Sequence, residues 1–189
     1  MSVMETVDFL WRRLDSPGHD ACRFEASARA CRWTGVAAFA ESGLVCQLRY
    51  EVAASPAFRF RRAWVEGCVG PRGVRRAFES DRNACWWIDG RERPALAGLI
   101  DLDLGFTPAT NMLSIRRLGL AIGEQAEVQT VYLDIPSLRV QRLPQRYQRL
   151  TDTTYAYESP AHDYRAVLQV TAEGAVAQYP GVFELHRPA

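Results

Sequence analysis

The sequence predicts an all-β domain built on a curled antiparallel sheet, and three observations carry that prediction. Apolar residues recur at every second position through most of the chain, a spacing that lines one face of a strand but scatters around a helix. Turn-forming clusters interrupt the alternation at short intervals. Only one short segment carries a helical start signal. About ten or more strands punctuated in this way imply a roll, barrel or sandwich, with at most one or two short helical turns.

In Leu44 to Val52, the residues Leu44, Cys46, Leu48, Tyr50 and Val52 alternate with Val45, Gln47, Arg49 and Glu51. Ala57 to Val65 places Phe58, Phe60 and Trp64 on one face together with Arg62. Val74 to Phe78 and Ala84 to Ile88 follow, separated by the turn-like Glu79-Ser80-Asp81-Arg82-Asn83. Trp86 and Trp87 must point to opposite faces of their strand, so at most one of them enters a given core. Gly98 to Leu104 sets Ile100, Leu102 and Leu104 opposite Asp101 and Asp103. Ile115 to Ile122 and Ala126 to Ile135 read as a hairpin around Gly123-Glu124-Gln125. Arg165 to Thr171 and Ala175 to Tyr179 read as another around Ala172-Glu173-Gly174. The helical signal is Thr107-Pro108-Ala109-Thr110-Asn111, where Thr107 can cap and Pro108 can take the first helical position. No linker, repeat or low-complexity stretch divides the 189 residues, which therefore form one domain, 1–189.

Composition narrows the function classes. Hydrophobic residues make up 48% and charged residues 24%, and the net charge is +1, so no global field draws the chain to nucleic acid or anionic membranes. All 23 basic residues are arginine; scattered along the chain, they read as codon usage rather than dedicated anion recognition. The five cysteines, at 22, 31, 46, 68 and 85, are odd in number and lack Cys-x-x-Cys spacing. That argues against a disulfide framework or a zinc site and fits reduced thiols in the cytoplasm. Met1 to Leu10 contains Glu5 and Asp8 and lacks the basic-then-apolar order of a secretion signal. No apolar run approaches the ~18 residues needed to span a bilayer.

Catalytic signatures are absent: no Gly-x-Ser-x-Gly, no His-Glu-x-x-His, no phosphate loop, and no lysine for Schiff-base chemistry. Gly67, Gly70 and Gly73 do not match the dinucleotide fingerprint. His19, His162 and His186 fall in loop-like or terminal positions and read as surface residues. Asp101 and Asp103 share a strand face with Cα atoms ~6.5–7 Å apart. Such a pair suits acid–base hydrolysis, a hard cation, a polar ligand wall, or ion pairing with arginine across the sheet. Trp11, Arg13 and Asp15 would share another face, suited to a salt bridge or to stacking a sugar. Arg139, Arg142, Arg146 and Arg149 around Tyr147 resemble a single-strand nucleic-acid groove, but Pro144 and the near-neutral charge argue against it.

Several segments together look familiar. Trp11-Arg12-Arg13-Leu14-Asp15 with Gly18-His19-Asp20, then Asp101-Leu102-Asp103-Leu104-Gly105-Phe106-Thr107-Pro108-Ala109-Thr110-Asn111, then Ile115-Arg116-Arg117-Leu118, and finally Tyr179-Pro180-Gly181-Val182-Phe183 resemble the bacterial family named Putative glycolipid-binding. The family commonly carries Phe at the position of Ala109 and Pro at that of Ser114. The resemblance implies a spiral β-roll that binds a lipid-like amphiphile, a glycolipid among them, without catalysis and without a cofactor or metal. It places the ligand site at Trp11, Arg13, Asp15, Asp101, Asp103, Asn111, Arg116 and Arg117. The expected mechanism is passive: an acyl chain lies on the concave apolar face, and the polar residues hold the head group. Two other readings remain open, a carboxylate-dependent hydrolase using Asp101 and Asp103, and an interaction or self-association module presenting aromatic residues on an outer face.

Overall fold

The computed structural model describes residues 5–186. Met1–Met4, within the segment tested for a secretion signal, lie outside the described residues. The first arm is a meander of β1 (Glu5–Arg13), β2 (Gly18–Ala26), β3 (Cys31–Glu41), β4 (Leu44–Ala54), β5 (Phe60–Val69), β6 (Arg72–Ser80), β7 (Trp86–Ile88) and β8 (Arg91–Glu92), each antiparallel to the next. There follow β9 (Asp101–Leu104), the helix α1 (Asn111–Leu118) and β10 (Gln125–Leu133). The second arm continues through β11 (Val140–Arg149), β12 (Thr154–Ser159), β13 (Tyr164–Val170), β14 (Val176–Tyr179) and β15 (Phe183–His186). Because β15 pairs with β1, the two arms form one sheet of 15 strands, with β8 at one edge and β9 at the other.

The sheet curls but does not close, since its edge strands β8 and β9 share no ladder among the described residues. Side chains bridge the seam instead. Arg76 donates Nη1 to the Leu138 carbonyl at 2.7 Å, Arg72 reaches the Pro136 carbonyl, and Arg142 donates Nε to the Ala95 carbonyl at 2.8 Å. Thus the arginines of β11 are bound to neighbouring strands and turns: Arg146 pairs with Glu127 and Glu158, and Arg149 with Asp152.

Alternation sends one face inward. On β3, Cys31, Trp33, Gly35, Ala37 and Phe39 are buried, while Arg32, Thr34, Val36 and Ala38 face out. Gly35 is there because the Tyr50 ring lies across it, and a Cβ would sit 2.3 Å from that ring. The three fully buried tryptophans each find an acceptor for the indole N–H. Trp11 donates to the Val176 carbonyl (2.6 Å), Trp86 to the Leu99 carbonyl (2.8 Å), and Trp33 to Met112 Sδ on α1 (3.3 Å). Trp86 is therefore the inward member of its pair, and Trp87 is only partly covered. Trp64 does not share the face of Phe60. A register shift between Ala53 and Ala54 lets Phe60 pair with Ala54 and Arg62 with Ala53, so Arg61 bulges and Ala63 and Val65 turn inward.

One predicted strand is a helix. Ile115 to Ile122 does not pair with β10; Asn111–Leu118 forms two helical turns. Thr107 Oγ1 accepts from the Ala109 amide ahead of a 3-10 turn at Pro108–Thr110, and Gly119 ends α1 with a left-handed φ of 54°. The helix connects β9 to β10, whose pairing is the one parallel ladder among the described residues. A parallel neighbour needs such a crossover, because a tight turn reverses direction. Leu102, Leu104, Val131 and Leu133 pack with Met112 and Leu113 into the core of the first arm, whereas Ile115 packs into a second core with Tyr147, Tyr157 and Leu168.

Replacing Trp86 by Ala removes a fully buried ring and its hydrogen bond and is expected to cost about 3–5 kcal/mol in urea unfolding. Trp87→Ala is expected to cost about 1 kcal/mol or less. Equal losses would contradict the facing assigned here.

Candidate functional site

A cavity of about 340 Å³ opens where the ends of β1, β3, β9 and β10 meet the tyrosine-rich strands of the second arm. One wall is Asp103, Gly105, Thr107, Pro108 and Asn111, the run from β9 into α1. Tyr132, Asp134 and Ile135 follow from β10, and Leu143 from β11. Opposite them stand Tyr157, Ser159, His162, Tyr164 and Tyr179. Arg13, Asp15, Glu41, Val182 and Phe183 complete the rim. Gly105 is required here because Tyr132 crosses the backbone so closely that a Cβ would lie 2.5 Å from its hydroxyl.

Asp103 sits at the end of a hydrogen-bond chain. Asn111 Nδ2 donates to Tyr147 Oη (3.0 Å), Tyr147 donates to Gln145 Oε1 (3.2 Å), and Gln145 Nε2 donates to Asp103 Oδ2 (2.6 Å). Oδ1 of Asp103 receives no hydrogen bond from the described residues and faces the cavity. Burial pushes the Asp103 carboxyl up to about 6, with the Gln145 bond opposing the shift. Burial also raises Tyr132, Tyr157 and Tyr179, so these stay neutral hydroxyls. The rings of Tyr157, Tyr164 and Tyr179 form a cluster with centroids 5.3–6.2 Å apart, and Tyr132 meets His162 edge-on at 5.3 Å.

Arg13 is committed on one side of the cavity. Its Nε and Nη2 donate to Asp15 at 3.0 and 2.8 Å, Nη2 also reaches Glu41 at 3.1 Å, and the guanidinium lies between the Phe39 and Phe183 rings. Behind the wall, Asp20 accepts from Tyr50 Oη (2.9 Å) and from Thr107 Oγ1 through Oδ2, while its buried Oδ1 has no partner. Desolvation pushes Asp20 up to about 7. Asp20 therefore holds Thr107, the residue that caps the turn into α1.

The chain matches the family model described as Putative glycolipid-binding over residues 8–185. The chain belongs to this family. A crystallised DUF1089 family protein of Pseudomonas aeruginosa is 32% identical, with a TM-score of 0.76 over 87% of this chain and 90% of that one. A beta-barrel-like protein of domain DUF1849 from Brucella abortus covers 97% of this chain and 95% of its own at 11% identity. Its TM-score is 0.47. No functionally curated protein matches the chain.

In this family member the eight expected ligand residues divide. Arg13, Asp15, Asp103 and Asn111 line the cavity together. Trp11, Asp101, Arg116 and Arg117 do not. Trp11 is fully buried in the core with its N–H satisfied. Asp101, 1% exposed, is held by Arg117 through two bonds of 2.8 and 2.6 Å and by Ser114 Oγ at 2.8 Å. Arg116 stacks on Phe58 and points at the carbonyls of Ala172 and Glu173. Asp101 and Asp103 do lie on one strand face, but the arginine reaches only the first. Sequence reasoning missed Glu41, Tyr132, Asp134, Gln145, Tyr157, Tyr164 and Tyr179. One signal for them existed: six of the seven tyrosines fall between residues 132 and 179.

Two measurements probe these assignments. Arg117→Ala strands the buried Asp101 and is expected to destabilise the fold by about 3 kcal/mol, read as a lower urea midpoint. Because the folded-state pKa of Asp20 is raised, its protonated form adds stability that is full below about 3.8 and is lost as pH rises towards about 7. The wild type is therefore expected to lose stability between about pH 3.8 and about 7, with a slope that flattens in Asp20→Asn. An unchanged slope would place the titrating group elsewhere.

Proposed function

We propose that the protein binds, without catalysis, the polar head of a small lipid-like amphiphile in the cavity around Asp103. The observation that carries this reading is the Asp103 carboxylate itself, fixed through one oxygen by Gln145 and open through the other to a tyrosine-walled space. A carboxylate and ring hydroxyls suit a sugar or similar head group rich in donors. The volume is at the small end of ligand sites, about 300–1,000 Å³, which fits a head group and not an acyl chain beside it. The family name, with its glycolipid, points the same way.

The passive mechanism changes in one respect. The concave apolar face offers no bed for an acyl chain, because Trp33, Phe58, Phe106, Met112 and Leu113 fill it. Apolar contact with the ligand falls instead to Ile135, Leu143, Val182 and Phe183 in the cavity, where each buried methylene contributes about 0.8 kcal/mol. The hydrolase reading loses its second carboxylate, since both oxygens of Asp101 are engaged. The interaction-module reading loses its motive, since the large exposed hydrophobic residues are all aliphatic. Five free cysteines fit a reducing, cytoplasmic setting, and no described helix is long and apolar enough to cross a membrane.

Native mass spectrometry of protein purified gently from its own host is expected to show a stoichiometric adduct containing an acyl chain and a polar head. Gly105→Ala, which displaces Tyr132, and Asp103→Asn are each expected to reduce its occupancy about tenfold. An adduct that survives both substitutions unchanged would sit outside this cavity.

A further inference from the structure

The charge of the cavity differs in sign from that of the chain. Its lining carries four carboxyl groups, Asp15, Glu41, Asp103 and Asp134, against the single guanidinium of Arg13 and the imidazole of His162, whereas the whole protein is +1. Arg13 is already shared between Asp15 and Glu41, and among the described residues only its Nη1 makes no hydrogen bond to a carboxylate. Two acceptors on the opposite wall are free among the described residues: Asp103 presents Oδ1, and Asn111, 6% exposed, presents Oδ1 while its Nδ2 is spent on Tyr147. Tyr157, Tyr164 and Tyr179 set rings 5.3–6.2 Å apart beside these acceptors, and Tyr132 adds a fourth.

Aromatic faces and carboxylates around a small half-open cavity attract the same kind of group. A ring face is the negative end of its quadrupole and draws a cation, most strongly where water is excluded. An unpaired carboxylate in such a space is costly until a positive charge or a donor reaches it. A neutral sugar satisfies the acceptors but leaves the charge uncompensated, and an anion meets four carboxyl groups against the one guanidinium of Arg13.

We propose that the cavity selects a cationic head group, a primary or quaternary ammonium carried on a small polar ligand, with Asp103 as its counter-ion and the tyrosine rings as its walls. This rests on the reading of the cavity as a binding site and names the ligand chemistry.

Three probes of nearly one shape and different charge test it: choline, 3,3-dimethylbutan-1-ol and 3,3-dimethylbutanoate. They are titrated at pH 8 into the full chain labelled with 3-fluorotyrosine, with the cavity resonances assigned by Tyr→Phe variants. Choline is expected to move the resonances of Tyr132, Tyr157, Tyr164 and Tyr179 with a Kd at least about tenfold below that of the alcohol, and the butanoate is expected not to move them. Asp103→Asn is expected to bring choline and the alcohol within about threefold of each other. Tyr164→Leu, at a partly exposed position, is expected to weaken choline more than the alcohol. Dodecyltrimethylammonium below its micellar concentration binds more tightly than choline if the natural ligand is a lipid, and equally if it is a free amine; either result supports the ammonium. An alcohol that binds as well as choline, or a butanoate that binds best through Arg13, overturns the ammonium while leaving the cavity a binding site. Silence of the cavity resonances with all three probes overturns both.

Discussion

The inward faces of the first arm, curled on themselves, enclose more interior than they fill, and the rest of this structure depends on what occupies that space. The occupant is the β9–α1–β10 crossover. Its Leu102, Leu104, Met112, Leu113, Val131 and Leu133 supply the apolar volume that the inward faces of β1 to β7 require. Two indole N–H groups tie the first arm to it, Trp33 to Met112 and Trp86 to the Leu99 carbonyl just ahead of β9. Such bonds satisfy donors that burial would otherwise leave costly, and they fix the height at which α1 enters the curl. The position of α1 then sets Asn111, and through Tyr147 and Gln145 it sets Asp103.

The two arms use different aromatic residues for different solvents. All five tryptophans lie before residue 90, and those that are fully buried pack in the dry core. Six of seven tyrosines lie after residue 130, and four of them surround the cavity. A tyrosine offers an apolar ring and a hydroxyl together, which suits a wall that is half protein and half ligand. Tyr50 is the exception, and it stands in the core because Asp20 is there to accept its hydrogen bond.

Much of the fold was legible. Strict alternation in β3 and β4, the turn at Ala172-Glu173-Gly174 and the cap at Thr107-Pro108 all act within a few residues, so local pattern reveals them. The one or two helical turns were legible, but residues 115–118 read as strand although Gly119 marks the end of α1, because Leu118, Leu120 and Ile122 also alternate. The face of Trp64 was misread because a bulge at Arg61 depends on pairing with β4, which periodicity within β5 does not record. Four of the lining residues, Arg13, Asp15, Asp103 and Asn111, were legible, because they lie in two sequence clusters. The tyrosine wall was not, because it comes from strands separated along the chain and converges only once the second arm folds over.

By itself the sequence determined the strand content, the inward and outward faces of most strands, and a polar cluster between Asp101 and Asn111, since these follow from side chains two to four residues apart. Tertiary structure alone decided that Asp101 is neutralised by Arg117 while Asp103, two residues on and facing the same way, is left open to a cavity. That difference is set by which neighbour reaches each carboxylate, an arginine one helix away or a glutamine 42 residues along the chain, and no local pattern contains it.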